Sequence, residues 1–268
     1  MKKAIAILLS LLLVAALCGC GQSAESNKIR VAATAVPHAE ILEIAKEILA
    51  EQGYELEIVV YTDYVQPNLV VESGELDANY FQHTPYLQQF NAENGTHIVS
   101  AGLIHYEPFG IFAGKTAAIA ELPENAQISI PNDATNGARA LLLLAQEGIL
   151  TLKDGAGIEA TVYDIVDNPK NVQIIEMEAA QLPLSLQDVD LAVINGNYAL
   201  AAGLNPATDA LAIEDASGDA AQTFANLVGV KEGRDNSEAI RALVAALQSE
   251  RVKSFINDTY QGSVVPIF

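Results

Sequence analysis

Three short segments collect most of the side chains that could bind a small polar molecule. They run from Asn79 to Tyr86, from Pro131 to Arg139, and from Asn195 to Tyr198. Together they offer aromatic rings, amides, one imidazole and one guanidinium. A guanidinium can bind a carboxylate through two parallel hydrogen bonds, and aromatic rings pack well against apolar groups. The segments therefore predict a site for a small molecule that carries a carboxylate or a phosphate.

Arg139 has the clearest expected role within these segments. It follows Asn136 and Gly137 where a strand-like run passes into a helical one, and backbone N–H groups in the first turn of a helix favour an anion. Two alternatives remain open. Arg139 could lie on the solvent face of its helix, and loops before helices are often rich in Asn, Asp, Pro and Gly simply because these residues form turns.

The surrounding sequence alternates between strand-like and helix-like runs. Such alternation is typical of α/β proteins with mainly parallel sheets, in which ligands bind beyond the carboxyl ends of the strands. Two segments, Ser100 to Phe112 and Thr223 to Val230, could carry the chain between two lobes. The expected strands are Lys28–Ala33, Glu55–Tyr61, Ile98–Leu103, Gln127–Ile130, Val172–Ile175 and Leu191–Ile194, and the main expected helices are Ala39–Gln52, Gln66–Ser73, a helix entered at Thr84-Pro85, Thr135–Glu147 and Ala239–Gln248.

The N-terminus has the pattern of a secretory signal. Two lysines precede an apolar run from Ile5 to Leu17, which is too short to span a bilayer core. The next residues, Leu17-Cys18-Gly19-Cys20, resemble a lipobox, in which Cys20 is lipidated and becomes the first mature residue. We therefore expect a signal peptide at 1–19, a tether at 20–27, and a protein anchored to the extracytoplasmic face of the cell membrane. An ordinary cleaved signal peptide with an incidental cysteine is the alternative.

Charge and cysteine content narrow the function further. The net charge is −20, and loss of residues 1–19 would remove two lysines and no acid, which gives −22. Such acidity argues against nucleic acid as a partner and against docking on anionic lipid through a basic face. The other cysteine, Cys18, lies in the segment expected to be removed, so we predict neither a disulfide nor a cysteine metal site.

Enzyme signatures are weak throughout the sequence. It has no Gly-x-Ser-x-Gly or HExxH motif, and 110–116 resembles a P-loop with one residue too few between its glycines. The histidines at 38, 83, 97 and 105 lack the spacing of metal ligands. We predict a protein without catalytic activity, metal or cofactor. A hydrolase and a surface adhesin or chaperone-like lipoprotein are the competing classes.

Two strings carry a resemblance to a known family. FQHTPYL at 81–87 and PNDATNGARALLLL at 131–144 resemble the NlpA/MetQ family of methionine-binding lipoproteins, the receptors of MetNI-type ABC importers. The resemblance extends from about Lys28 to the last helix. Its other matching segments are 62–65, 74–80, 152–157, 167–171, 181–183 and 191–198.

The resemblance implies a type II-like, two-lobe periplasmic-binding-protein fold, with lobe 1 at 28–108 and 226–268 and lobe 2 at 109–225. It implies capture of methionine, as the L- or the D-enantiomer, and delivery to the permease and ATPase of a MetNI-type importer. Another apolar amino acid or a short methionine peptide is the alternative ligand. The implied site residues are Tyr64, Phe81, His83 and Tyr86 around the ligand side chain, Arg139 at the α-carboxylate, and Asn195, Asn226 and either Asn132 or Asn136 at the polar ends of the amino acid.

Three stretches depart from the pattern of that family. They are the surroundings of Asn226, the segment Glu107-Pro108-Phe109-Gly110, and the ending Val265–Phe268. Because the second of these lies in an expected crossover, lobe closure or ligand specificity is expected to differ.

Overall fold

Two mixed β-sheets form the framework of the protein, one in each of its two lobes. The computed structural model describes residues 27–215 and 219–268, with only the backbone of Asp219. The predicted signal peptide, most of the predicted tether and Cys20 lie outside the described residues. The strands are β1 Lys28–Ala33, β2 Glu55–Val60, β3 Ala78–His83, β4 Ile98–Tyr106, β5 Gly110–Ala113, β6 Gln127–Pro131, β7 Thr151–Leu152, β8 Ile165–Asp167, β9 Gln173–Met177, β10 Leu191–Ile194, β11 Ala212–Ile213, β12 Asn226–Lys231 and β13 Val265–Pro266.

Helices cover the sheets and connect the strands. In the first of them, apolar residues recur at helical spacing, and Ile41, Leu42, Ala45 and Leu49 are all buried. The helices are α1 Glu40–Glu51, α2 Gln66–Glu72, α3 Thr84–Asn94, α4 Ala134–Gln146, α5 Leu182–Ser185, α6 Gly196–Ala201, α7 Pro206–Asp209, α8 Asp219–Thr223, α9 Glu238–Leu247 and α10 Glu250–Tyr260, with short helical turns at Ala35–Ala39, Ile119–Glu121, Val162–Asp164 and Ala179–Gln181.

Each sheet combines strands from separate parts of the chain, because the chain crosses twice between the lobes. The first sheet has the order β13-β4-β12-β3-β1-β2 and the second β11-β5-β10-β6-β9, while β7 and β8 form a small ribbon. The chain passes from the first sheet to the second after β4 and returns at β12.

The sheets are less parallel than the alternating sequence predicts. Strands β1, β2 and β3 pair in parallel, as do β6, β9 and β10. In contrast, β12 is antiparallel to β3 and β4, and β5 is antiparallel to β10. A strand that arrives from the other lobe begins next to the carboxyl ends of the parallel strands. It therefore runs antiparallel to them.

Each sheet has its own hydrophobic core. In the first lobe, α1, α9 and α10 bury their apolar faces against β1, β3 and β12, with Val31, Leu42, Leu243 and Ile256 fully buried. In the second lobe, α4 packs on β6 through residues such as Leu144 and Ile128. Over the described residues, no helix is both long and apolar enough to cross a membrane.

Local details differ from the sequence expectations at two helices. The entry Thr84-Pro85 predicts the Thr84 hydroxyl as the N-cap of α3 and Pro85 as its first residue. Thr84 is instead the first residue, and the ring of His83 accepts the hydrogen bond from the Tyr86 N–H at 3.2 Å. The sequence patterns predict no helix after α9, but α10 follows it after the cap residue Ser249.

Candidate functional site

One cavity lies where strands from both lobes end. Side chains at or just after the ends of β3, β4, β6 and β10 meet there with the first residue of β12. This agrees with the rule that α/β proteins bind ligands beyond the carboxyl ends of their strands. The lining residues are Tyr64, Phe81, Gln82, His83, Tyr86, Glu107, Asn136, Arg139, Asn195, Gly196, Asn197 and Asn226.

Most of the residues singled out from the sequence line this cavity, and one does not. Asn132 is exposed, lies in an outer groove beside Val65 and Asn94, and donates its backbone N–H to the Met177 carbonyl. Of the two asparagines expected as alternatives, Asn136 is therefore the one in the cavity. Glu107 and Asn197 line it too. No sequence pattern marks Glu107, and Asn197 belongs to the candidate segment from Asn195 to Tyr198 without a role of its own.

Three aromatic rings form one wall of the cavity. The centroid of Tyr64 is 5.7 Å from those of Phe81 and Tyr86, and Tyr198 packs on the outer side of Tyr64 at 4.9 Å. The Tyr64 hydroxyl donates to Asn197 Oδ1 and the Tyr86 hydroxyl to the Tyr64 carbonyl. Burial raises the pKa of both phenols, which keeps them neutral. Because protein atoms already satisfy these hydroxyls, the rings present an apolar wall that suits an apolar or thioether chain.

A chain of hydrogen bonds fixes the amide orientation of two asparagines. Asp133, the N-cap of α4, accepts from Asn136 Nδ2 at 2.9 Å, so Asn136 turns its Oδ1 towards the cavity. That oxygen accepts from His83 Nε2 at 3.2 Å and from Asn195 Nδ2 at 3.0 Å. The amide oxygen of Asn195 is left buried without a hydrogen-bond partner in the protein. A buried acceptor of this kind needs a donor, which a bound water or a ligand can supply.

His83 is neutral in this arrangement. Burial, with a smaller effect from the Arg139 charge, lowers its pKa to about 3. Its Nδ1 accepts from the Tyr86 N–H, so Nε2 carries the proton that is donated to Asn136. His83 thus acts as a fixed hydrogen-bond bridge between β3 and α4.

Arg139 is buried, and protein groups accept hydrogen bonds from its Nε and Nη2 atoms. Its Nε donates to Glu214 Oε1 at 2.8 Å and its Nη2 to Glu214 Oε2 at 2.5 Å, while Nη2 also donates to the Glu107 carbonyl at 2.8 Å. The ring of Phe224 lies 4.5 Å from the guanidinium carbon. Burial opposes both charges, but their attraction outweighs it, raising the pKa of Arg139 and lowering that of Glu214. The pair is therefore fully ionised.

Glu107 lies against two buried histidines. Its Oε1 is 2.8 Å from His105 Nε2 and 3.4 Å from His38 Nε2. The other ring nitrogens contact hydroxyls: His38 Nδ1 is 2.7 Å from Thr34 Oγ1, and His105 Nδ1 meets the Tyr80 hydroxyl. Burial lowers the pKa of His38 to about 4 and that of His105 to about 3. It raises the pKa of Glu107, partly offset by His38 and Arg139.

Within the described chain, this is the group whose geometry could hold a metal ion, since three ligand atoms of His38, His105 and Glu107 lie within 4.8 Å of one another. Hydrogen bonds already engage all four ring nitrogens, with His38 Nε2 also 3.0 Å from Asn226 Oδ1. The group is thus complete as a hydrogen-bonded cluster. The sequence does not predict this cluster, because His38 is distant from the other two residues in the chain. The spacing of His105 and Glu107, two residues apart, could have shown that they share one face of an extended segment.

Comparisons with known proteins point to one family. A family model described as NlpA lipoprotein matches residues 29–268. The methionine-binding lipoprotein MetQ of Bacillus subtilis is 39% identical over 268 residues, which is 98% of this chain and 97% of that protein. The D-methionine-binding lipoprotein MetQ of Escherichia coli is 39% identical over 254 residues, 93% of this chain and 92% of that protein.

Solved structures agree with this similarity. A lipoprotein from Ruminococcus gnavus is 57% identical, with a TM-score of 0.90 over 91% of this chain and 100% of that one. A nutrient-binding protein from Burkholderia cenocepacia, solved bound to methionine, is 43% identical, with a TM-score of 0.85 over 90% of this chain and 100% of that one.

Proposed function

Because the chain belongs to the NlpA lipoprotein family, we propose that it is an extracytoplasmic lipoprotein that captures methionine between its lobes and delivers it to an ABC importer. The observation that carries the proposal is the composition of the cavity between the sheets. An aromatic wall lies within the same cavity as an orphaned amide oxygen, a carboxylate and a guanidinium. A thioether side chain suits the aromatic wall. The charged ends of an amino acid suit the amide oxygen, the carboxylate and the guanidinium.

The proposed residue roles follow from these contacts. Tyr64, Phe81 and Tyr86 surround the methionine side chain, with His83 completing that wall. Since Glu214 and the Glu107 carbonyl engage Nε and Nη2 of Arg139, we propose that the ligand carboxylate meets Nη1. Asn195 and Asn226 bind the polar ends of the ligand. The relatives named for methionine and for D-methionine support both enantiomers as candidates.

Lobe boundaries, anchor and partner are parts of the same proposal. We assign 28–108 and 226–268 to one lobe and 109–225 to the other, because β4 ends at Tyr106, β5 begins at Gly110, and β12 begins at Asn226. We propose lipid attachment at Cys20 and a MetNI-type permease and ATPase as the partner. Ligand capture without catalysis is the proposed activity.

Isothermal titration calorimetry with three ligands tests the proposed specificity. After unfolding and refolding to strip bound ligand, the protein should bind methionine most tightly. Norleucine lacks the sulfur and should bind more weakly by about 0.3–1.5 kcal/mol per lost ring contact. Glutamine brings an amide against the aromatic wall, at a cost of roughly 1–3 kcal/mol if it stays unpaired. Tighter binding of glutamine than of methionine would refute the thioether site.

A pair of matched variants tests whether the aromatic wall causes the preference for methionine over norleucine. Phe81→Leu should narrow the difference between methionine and norleucine, because Phe81 lies in the aromatic wall. Phe255→Leu is the control, since Phe255 packs on Tyr260 at the far side of the first sheet. Equal effects of the two variants would mean that Phe81 acts only through stability.

A further inference from the structure

Three buried amides form a hydrogen-bonded cluster next to the cavity. Asn68 on α2 and Asn79 on β3 are 0% exposed, and Gln82 on β3 also lines the cavity. Asn68 Nδ2 donates to Gln82 Oε1 at 2.9 Å, and Gln82 Nε2 donates back to Asn68 Oδ1 at 2.7 Å. Asn79 Nδ2 donates to Asn68 Oδ1 at 2.8 Å, and Asn79 Oδ1 accepts from Gln82 Nε2 at 2.9 Å. Because reversing any one amide would bring N–H groups against each other, the cluster has a single arrangement.

Strand β3 leaves its regular alternation within this cluster. Two consecutive residues of β12 pair with Gln82 and Tyr80, so Phe81 is an extra residue in β3. A regular strand would place Asn79 and Gln82, three positions apart, on opposite faces, yet their side chains are hydrogen-bonded. A bulge of this kind turns side chains in new directions. As a result, three consecutive residues, Phe81, Gln82 and His83, all line the cavity.

The same cluster fixes the helix that follows Tyr64. Asn79 Nδ2 also donates to the Pro67 carbonyl in the first turn of α2, at 3.1 Å. Just before that helix, Asp63 Oδ1 accepts from the two backbone N–H groups that follow Tyr64, at 2.8 and 2.7 Å. Tyr64 therefore lies in a turn that continues into α2, and its position depends on where the cluster holds α2 against β3.

Strand β12 leaves room for the cluster through a glycine. A Cβ at Gly229 would lie 2.5 Å from Asn79 Oδ1, 3.1 Å from Gln82 Nε2 and 3.2 Å from Ile98 Cγ2. The first of these distances is too short for a real contact, so a side chain at this position would displace the amides. Gly229 thus marks a close approach of the β12 backbone to the cluster.

We propose that Asn68 and Asn79 are positioning residues for the aromatic wall. Through Gln82 they set the spacing between Phe81 on the bulge and Tyr64 before α2, whose ring centroids are 5.7 Å apart. A gap of about 0.5–1 Å forfeits roughly a quarter to a half of the attraction between two packed atoms, so this spacing determines which ligand side chains fit the wall. This specificity rests on the proposed capture of methionine.

Calorimetry with methionine and norleucine tests the effect on ligand choice. In wild-type protein norleucine should bind about 2- to 10-fold more weakly than methionine. Asn68→Leu should lower this ratio to about that of Phe81→Leu. The double variant Asn68→Leu/Phe81→Leu should lower it no further, because both changes act on the same contact. Asn91→Leu is the control and should keep the wild-type ratio, since Asn91 Nδ2 donates to the Ile98 carbonyl at 2.8 Å, outside the cavity lining.

Nuclear magnetic resonance tests the spacing of the rings without any ligand. The nuclear Overhauser effect between the Tyr64 and Phe81 ring protons should weaken in Asn68→Leu. It should also weaken in Gly229→Ala, which displaces the amides but removes none of them. The signal between Phe255 and Tyr260, whose centroids are 6.0 Å apart, should persist in both variants.

The possible results are distinguishable. An unchanged ligand ratio or an unchanged Tyr64–Phe81 signal in folded Asn68→Leu would show that the cluster only stabilises the fold and would overturn the assignment. Multiplication of the two single effects in the double variant would overturn it as well. If circular dichroism shows that Asn68→Leu does not fold, the same two measurements on Gly229→Ala decide. A wild-type protein that binds neither ligand would refute the proposed function instead, and the ligand-free signal would still decide whether the amides position the rings.

Discussion

At the residue scale, Arg139 connects parts of the second lobe that are far apart in sequence. From α4, its guanidinium reaches the first crossover at the Glu107 carbonyl, and it pairs with Glu214 and stacks on Phe224 just before the second crossover. The residue expected from the sequence to hold a ligand carboxylate thus also joins both chain crossings. Its contribution to stability and its contribution to binding must be measured separately.

Arg139→Ala should destabilise the ligand-free protein by about 3–5 kcal/mol, because it leaves Glu214 buried without its counter-charge. The depressed pKa of Glu214 means that this contribution is present above pH 4.5 and is lost as the pH falls through the folded pKa. Urea unfolding at pH 7 measures the change. The control, Arg251→Ala, removes an exposed pair with Glu47 and should cost about 0–1 kcal/mol. Similar losses for the two variants would contradict the importance of the buried pair.

At the scale of elements, the N-cap of α4 has two effects. Asp133 Oδ1 accepts from the Asn136 N–H at 2.9 Å, which caps the helix, and from Asn136 Nδ2, which orients the amide chain leading to Asn195. Asp133→Ala should therefore cost about 0.5–2 kcal/mol of stability and also weaken methionine binding about two- to tenfold. Thermal unfolding and calorimetry measure the two effects.

The matched control is another capped helix. Ser237 accepts from the Ile240 N–H at the start of α9, away from the cavity. Ser237→Ala should cost similar stability with methionine affinity unchanged. If the two cap variants behave alike in binding, then Asp133 does not orient the amide chain.

Elements also show how far the sequence could predict the site. Arg139, Asn195 and His83 were predictable because polar residues at the carboxyl ends of strands share one edge of a sheet. Glu107 was not, since its environment depends on His38, which lies in the helical turn Ala35–Ala39 after β1, 69 positions (107 − 38) earlier in the chain. The antiparallel direction of β12 was not predictable either. It depends on where the chain returns from the second lobe to the first, and no local sequence pattern predicts that return.

At the scale of the whole molecule, hydrogen bonds across the cleft hold the two lobes together. Tyr64 donates to Asn197 Oδ1 at 2.5 Å, and His83 bridges to Asn136 at 3.2 Å. Outside the cavity lining, the Tyr198 hydroxyl on α6 donates to the Thr62 carbonyl at 3.0 Å. Because these bonds join the two sides of the cleft, opening it would have to break them, so they favour the form that encloses a ligand.

Tyr198→Phe tests this bias because it removes one bridge and keeps the ring that packs on Tyr64. A net loss of about 0.5–1.5 kcal/mol would weaken methionine binding roughly two- to tenfold, and the change should appear mainly in the dissociation rate, since opening becomes easier. Surface plasmon resonance gives both rates. Small-angle scattering should also show a larger radius of gyration for the ligand-free variant. Tyr163→Phe is the control, because Tyr163 is 93% exposed. If the two variants share the same dissociation rate and scattering profile, the Tyr198 hydroxyl does not hold the cleft closed, and closure depends on the bonds inside the cavity.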